Sequence, residues 1–122
     1  MIEDDIRGVI GQALTGTDVY ARLIPPTLPE CVMIQELGGT PSTSSIRRAT
    51  HKVTVMACTQ DRGRSIDLCR RARDALITAC PFDTAGAHYY HARAMAEGSI
   101  KKETRNGPSY VEFVDLEVLV SL

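Results

Sequence analysis

The sequence predicts an α+β fold, with two helices packed on a mostly antiparallel sheet in the order α-β-β-β-α-β-β. Three observations carry this. His51, Val53, Val55 and Ala57 alternate with Lys52, Thr54 and Met56, the period of two expected of a strand with one face on a core. From Ser65 the period changes: Ile66, Cys69, Ala72, Leu76 and Ala79 recur at three and four residues, which predicts a helix. Val114, Leu116, Val118 and Val120 then restore the alternation near the end of the chain. Between the first two patterns lie Gln60, Asp61, Arg62 and Gly63, so a strand hands over through a short polar turn to a helix that lays its apolar side on the sheet.

Taken in order, Ile2, Ile6, Val9, Ile10, Ala13 and Leu14 recur at helical spacing and predict a first helix over residues 2–14. Glu3, Asp4 and Asp5 fall in its first turn, where negative charge meets the positive end of the helix dipole. Gly8 and Gly11 each lower its propensity by ~1 kcal/mol relative to Ala, which makes it depend on packing. Thr15, Gly16 and Thr17 end it. Val19, Ala21 and Leu23 alternate with Asp18, Tyr20 and Arg22 in a short strand closed by Pro25, Pro26 and Pro29, whose nitrogens donate nothing to a ladder. A second strand over 31–37 follows and pairs with the first as its neighbour.

Residues 38–45 read GGTPSTSS and contain no large apolar side chain. Such composition cannot offset the entropy of ordering and predicts a flexible loop over 38–46. Arg47, Arg48 and Lys52 at the mouth of the third strand read as an exposed edge that discourages strand-to-strand aggregation. The second helix, over 64–79, sets Arg64, Arg70, Arg71 and Arg73 opposite its apolar stripe, with Asp67 and Asp74 interleaved in pairs worth only ~0.2–0.5 kcal/mol each. Pro81 stops it, and 81–87 is a connecting loop. His88, Tyr90, Ala92, Ala94 and Ala96 alternate with Tyr89, His91, Arg93, Met95 and Glu97 in a fourth strand whose small residues admit a close helix. Residues 101–108, KKETRNGP, form a charged turn that is tightest at Asn106 and Gly107. The last strand spans 110–122, and the opposite parity of Val111 and Phe113 predicts a twist or bulge near Glu112.

Length and composition fit one domain over 1–122, with 43% hydrophobic and 24% charged residues. Trp is absent and Phe occurs twice, so the core rests on Val, Ile, Leu and Ala. Fourteen basic and 15 acidic side chains give a net charge of −1, too little field to draw the chain to nucleic acid or an anionic membrane. No stretch approaches the ~20 apolar residues that span a bilayer, and the acidic start lacks the pattern of a secretory signal; the expected location is cytoplasmic. Cys31, Cys58, Cys69 and Cys80 form no CxxC pair and lie far from His51, His88 and His91 in sequence, so reduced thiols are expected rather than zinc.

Chemistry has little purchase. The run HYYH places His88 and His91 on opposite faces of a regular strand, where they share neither a metal nor a proton. GxSxG, HExxH and phosphate-loop motifs are absent, and Gly38-Gly39 lacks the Lys and helix of a phosphate cradle. No catalytic residue, cofactor or metal is expected, and the chain reads as no enzyme.

The order of elements resembles the small tail-terminator, or tail-completion, proteins of long-tailed bacteriophages and prophages. The passages that carry the likeness are VYARLIPPTLPECVMIQELGG, HKVTVMACTQDRGRSIDLCRRARDALI and SYVEFVDLEVLV, which together run through nearly the whole chain. They are architectural rather than chemical, with LCRRARDALI giving the typical Arg and Ala pattern of the helix. Ala57, Cys58 and Thr59 stand where a large aromatic is often found in that family. The resemblance implies a homo-oligomer, a hexameric ring on the end of the tail tube, that stops tube polymerisation and meets the head connector protein. Its partners would then be the tail-tube protein and the connector, and its place the virion tail, after assembly in the host cytoplasm. A ring needs contacts between unlike patches of neighbouring subunits. The residues expected to make them are Gly38, Gly39, Thr40, Ser42, Ser45, Arg47 and Arg48 on one side and Lys101, Lys102 and Arg105 on the other.

Two other classes remain open on the residues alone: a related head-tail connector or tail-tube component, and an unrelated small α+β ligand-binding protein or enzyme. The first separates by whether the protein caps tubes or polymerises itself, the second by a deep pocket with converging polar groups. Specific nucleic-acid binding is not expected, and salt-dependent retention on DNA would reveal it.

Overall fold

The computed structural model describes residues 2–21, 30–40, 48–104 and 107–121. In chain order these form α1 (Ile2–Ala13), β1 (Val19–Ala21), β2 (Cys31–Thr40), β3 (Arg48–Thr59), α2 (Arg62–Ala79), β4 (Phe82–Asp83), β5 (His88–Thr104) and β6 (Gly107–Ser121). The fold is α+β, and the sheet has six strands in the order β1-β2-β3-β6-β5-β4. It is mixed rather than antiparallel throughout. β1 runs parallel to β2, with Val19 opposite Val32, whereas every other neighbouring pair is antiparallel. The neighbourly pairing of β1 and β2 follows the sequence reading, but their direction carries no signal in a three-residue strand. The short β4 lies inside the expected 81–87 loop, where Phe82 pairs with Tyr89 and Asp83 with His88.

Both helices cover one face of the sheet. Ile2, Ile6 and Ile10 from α1, Leu14 just beyond its end, and Leu68, Cys69, Ala72 and Leu76 from α2 meet Val32, Ile34, Val53, Val55, Ala57, Val114, Leu116, Val118 and Val120 in a continuous core. Each buried Val, Leu or Ile among them contributes about 1.5–3 kcal/mol through removal from water. In α2 the buried stripe is Ser65, Leu68, Cys69, Ala72 and Leu76, so Leu68 points inward and Ile66 sits at the margin. Asp61 caps this helix by accepting from the Gly63 N–H at 3.0 Å, and Thr59 Oγ1 accepts from the Asp61 N–H at 3.0 Å. Gly16, at φ 87°, turns the chain out of α1 in a conformation that side-chain-bearing residues rarely adopt.

The first-turn acids of α1 do more than meet a dipole. Glu3 is 7% exposed and its Oε2 accepts from the Glu36 N–H at 3.1 Å, tying α1 to β2. Asp5 accepts from the buried Tyr89 hydroxyl at 2.6 Å and from Thr84 Oγ1 at 3.3 Å, tying α1 to β5. Tyr89 in turn stacks on Phe82 at 4.5 Å between ring centroids. Burial, followed by the bond to Asp5, holds the Tyr89 phenol far above its ordinary ionisation range.

Register departs from the sequence reading in β5 rather than β6. Pairing of β6 with β3 is unbroken from Tyr110 to Ser121, so there is no bulge at Glu112. Instead, β5 shifts register between Tyr89 and His91 and again between Ala94 and Ala96, leaving Tyr90 and Met95 as extra residues. Val111 and Phe113 have opposite parity to Val114 because they face the side of the sheet that carries neither helix.

Candidate assembly surface

One margin of the sheet is β5. Beyond Tyr89 no described strand pairs with its outer edge, while its inner edge follows β6 as far as Thr104 opposite Gly107. After the Met95 bulge the register is regular from Ala96 to Thr104. Glu97, Ser99, Ile100, Lys101, Lys102 and Glu103 are all exposed, Ile100 at 47%. A regular strand edge with exposed faces presents unpaired N–H and C=O groups in a row, which is a template for another strand. Only charges guard it: Glu97 accepts from Arg73 on α2, and Lys101 lies 3.5 Å from Glu103 and 6.0 Å from the Tyr110 ring centre.

At the opposite margin β1 covers only Val32, Met33 and Ile34 of β2. Past the Glu3 carboxylate on the Glu36 N–H, β2 continues to Thr40 with, among the described residues, β3 on its inner side alone: Gly38 faces Lys52, Gly39 faces His51 and Thr40 faces Thr50. A register shift between Glu36 and Gly38 throws Leu37 out of the ladder, and it is 57% exposed. Glu36 Oε1 lies 2.8 Å from His51 Nδ1.

The helix-free face runs between these margins. Opposed residues share a face, so Met56, Phe113 and Gly98 line up across β3, β6 and β5, as do Thr50, Leu119 and His91. Arg93 pairs with Glu117 at 2.5 Å and Thr54 Oγ1 donates to Asp115 at 2.7 Å. The Phe113 ring lies over Gly98, where an added Cβ would come within 2.5 Å of Cζ. At one end Arg48 sits 4.5 Å from the Tyr90 ring centre, Tyr90 meets His88 edge-on, and His88 Nδ1 donates to Asp83 at 2.5 Å. The bulge at Tyr90 corrects the reading of HYYH: His88 opposes Ser121 and His91 opposes Leu119, so both histidines face the same side. Among the described residues no three His, Cys, Asp or Glu side chains are placed to hold a metal ion.

A groove of about 220 Å³ lies where the start of α2 meets the β5–β6 hairpin, lined by Arg62, Ser65, Ile100, Lys101, Tyr110 and Glu112 among others. Ser65 Oγ donates to the Tyr110 carbonyl at 2.7 Å on its floor, and Ser99 donates to Glu112. All four cysteines are free thiols. Burial pushes Cys31 up to about 11 and Cys69 up to about 12, so neither is a ready nucleophile.

No protein-family model and no curated protein matches the chain. A solved structure does. A chain in the structure described as "Virion of native gene transfer agent (GTA) particle" superposes with a TM-score of 0.64 at 14% identity, over 93% of this chain and 85% of that one. The two share a fold.

The residues expected at subunit contacts divide between the two margins. Gly38, Gly39 and Thr40 lie on β2, continuing the strand rather than opening the expected 38–46 loop. Lys101 and Lys102 lie on β5, which runs on as a strand through what was read as a turn. Arg48 begins β3, a central strand, so it guards no edge. Ser42, Ser45, Arg47 and Arg105, with the rest of 41–46, lie outside the described residues. Glu36, Leu37, Glu97 and Ile100 were missed. Exposed Leu37 and Ile100 within strand-forming runs were the available signal, but without register an outward apolar residue reads as core.

Proposed function

We propose that this chain is a structural virion protein that closes the tail tube as a ring, ends tube polymerisation and presents a surface to the head connector. The observation that carries the reading is the shared fold with a chain of a gene transfer agent virion over 93% of the length. Two strand edges on opposite margins of one sheet, unpaired among the described residues, support it, because a closed ring of identical subunits needs two unlike patches that fit each other. The action proposed is contact alone, without a bond made or broken and without a cofactor. The ring is a hexamer, its partners are the tail-tube protein and the connector, and its place is the virion tail.

Light scattering and electron microscopy of the purified protein, alone and mixed with polymerising tail-tube subunits, test this. A ring of about six subunits and shortened, end-capped tubes are expected. A chain that polymerises into tubes of its own would identify a tube component instead. One that neither multimerises nor arrests tube growth would overturn the reading.

A further inference from the structure

The two margins, unpaired among the described residues, are complementary in detail. β2, β3, β6 and β5 alternate in direction, so β5 runs opposite to β2 within one subunit. In a copy turned about an axis lying roughly along the strands, directions are preserved, and the neighbour's β5 arrives antiparallel to β2. Resting on the ring reading, we propose that neighbouring copies join edge to edge, residues 38–40 of β2 pairing with residues 98–100 of the next copy's β5, with Gly38 opposite Ile100 and Leu37 bulged out of the ladder.

Three features select this register. Opposed residues must share a sheet face. Gly38 opposes Lys52, which opposes Glu117, while Ile100 opposes Val111, so both belong to the helix-free face and satisfy the rule. Next, the Leu37 bulge brings that side chain, 57% exposed, beside Ile100, 47% exposed, and each covers the other from water. On the helix face, Lys101 comes opposite Glu36, uniting an ammonium with a carboxylate that already faces His51. Gly39 then stands opposite Ser99 and Thr40 opposite Gly98. The Glu3 carboxylate on the Glu36 N–H ends the available edge on one side, which limits the junction to a short ladder.

Gly39→Cys with Ser99→Cys, in a background carrying Cys58→Ser and Cys80→Ser, tests the register under mild oxidation at concentrations where light scattering shows multimers. A ladder of covalent species ending at the ring size is expected from the double variant and from neither single one. Dimers from Ser99→Cys alone would mean that two β5 edges pair symmetrically, and would overturn the proposal. So would multimers that form without cross-linking, an outcome that leaves the ring reading standing. A protein that stays monomeric at every concentration, alone and with tail-tube subunits, and leaves tube growth unchecked removes both. Independently, Ile100→Asp, at a position exposed in the single chain, is expected to weaken multimer formation at least tenfold without moving the unfolding midpoint; unchanged assembly would also overturn the pairing.

Discussion

The Tyr89 hydroxyl is buried between α1 and β5, and its one acceptor is the Asp5 carboxylate. Tyr89→Phe is expected to cost about 1–3 kcal/mol in urea unfolding, as for a bond to a charged group, because a partly buried carboxylate loses its donor while ring packing is retained. A second residue-scale prediction concerns Gly98. Its missing side chain makes room for the Phe113 ring, whose Cζ and Cε1 would lie 2.5 and 2.6 Å from an added Cβ. Gly98→Ala is expected to cost about 1–3 kcal/mol, and clearly less when Phe113→Leu is present, a coupling that a double-mutant cycle reads directly. The thiols give a pH dependence. Cys31 and Cys69 ionise at about 11 and about 12 in the fold, against an ordinary value of 9.0. The folded chain therefore keeps protons that the unfolded chain releases; this stabilisation is whole below about pH 9 and is lost as the pH climbs through 11 to 12. Urea midpoints that fall between about pH 8 and pH 10.5, and fall less in Cys69→Ala, are the expected result.

At the scale of elements, the junction of β3 with α2 is held by a cap that the sequence already displays. Asp61→Ala is expected to remove about 1 kcal/mol by freeing the Gly63 N–H, and thermal unfolding of the variant measures it. That stretch was legible because both periods were long and the polar turn between them short. α1 and β6 were legible for the same reason. Other elements were obscured by specific local events. Two extra residues, Tyr90 and Met95, break the parity of β5, so that Tyr89 and Ala92, three residues apart, both face the core, a pattern no simple alternation describes. Gly38, Gly39 and Thr40 have the composition of a loop, yet β3 supplies a ladder partner for each, and tertiary pairing overrides propensity. β4 has two residues and gives no periodic signal at all. The candidate surface was half legible: the margins holding Gly38 and Lys101 were named, but the apolar and acidic residues that make them complementary depend on register.

For the whole molecule, the same margins that finish the sheet would begin the assembly. Deleting residues 39–45 is expected to abolish multimers and end-capping of tail tubes, with light scattering and microscopy as readouts. Retention of both would remove β2 from the contact. High salt is expected to weaken assembly only slightly, because the proposed junction rests on backbone pairing and on Leu37 with Ile100, and a single Glu36–Lys101 pair is the part that ions screen. The largest consequence comes from where β6 lies. It is the last described strand to be synthesised, yet it stands between β3 and β5, which face it over 12 and 15 residue positions. Until it emerges from the ribosome, β3 and β5 have no common neighbour. The nascent polypeptide therefore carries additional raw borders that invite premature association. A stop codon placed just before Gly107 would yield an aggregating product rather than a smaller version of the same protein.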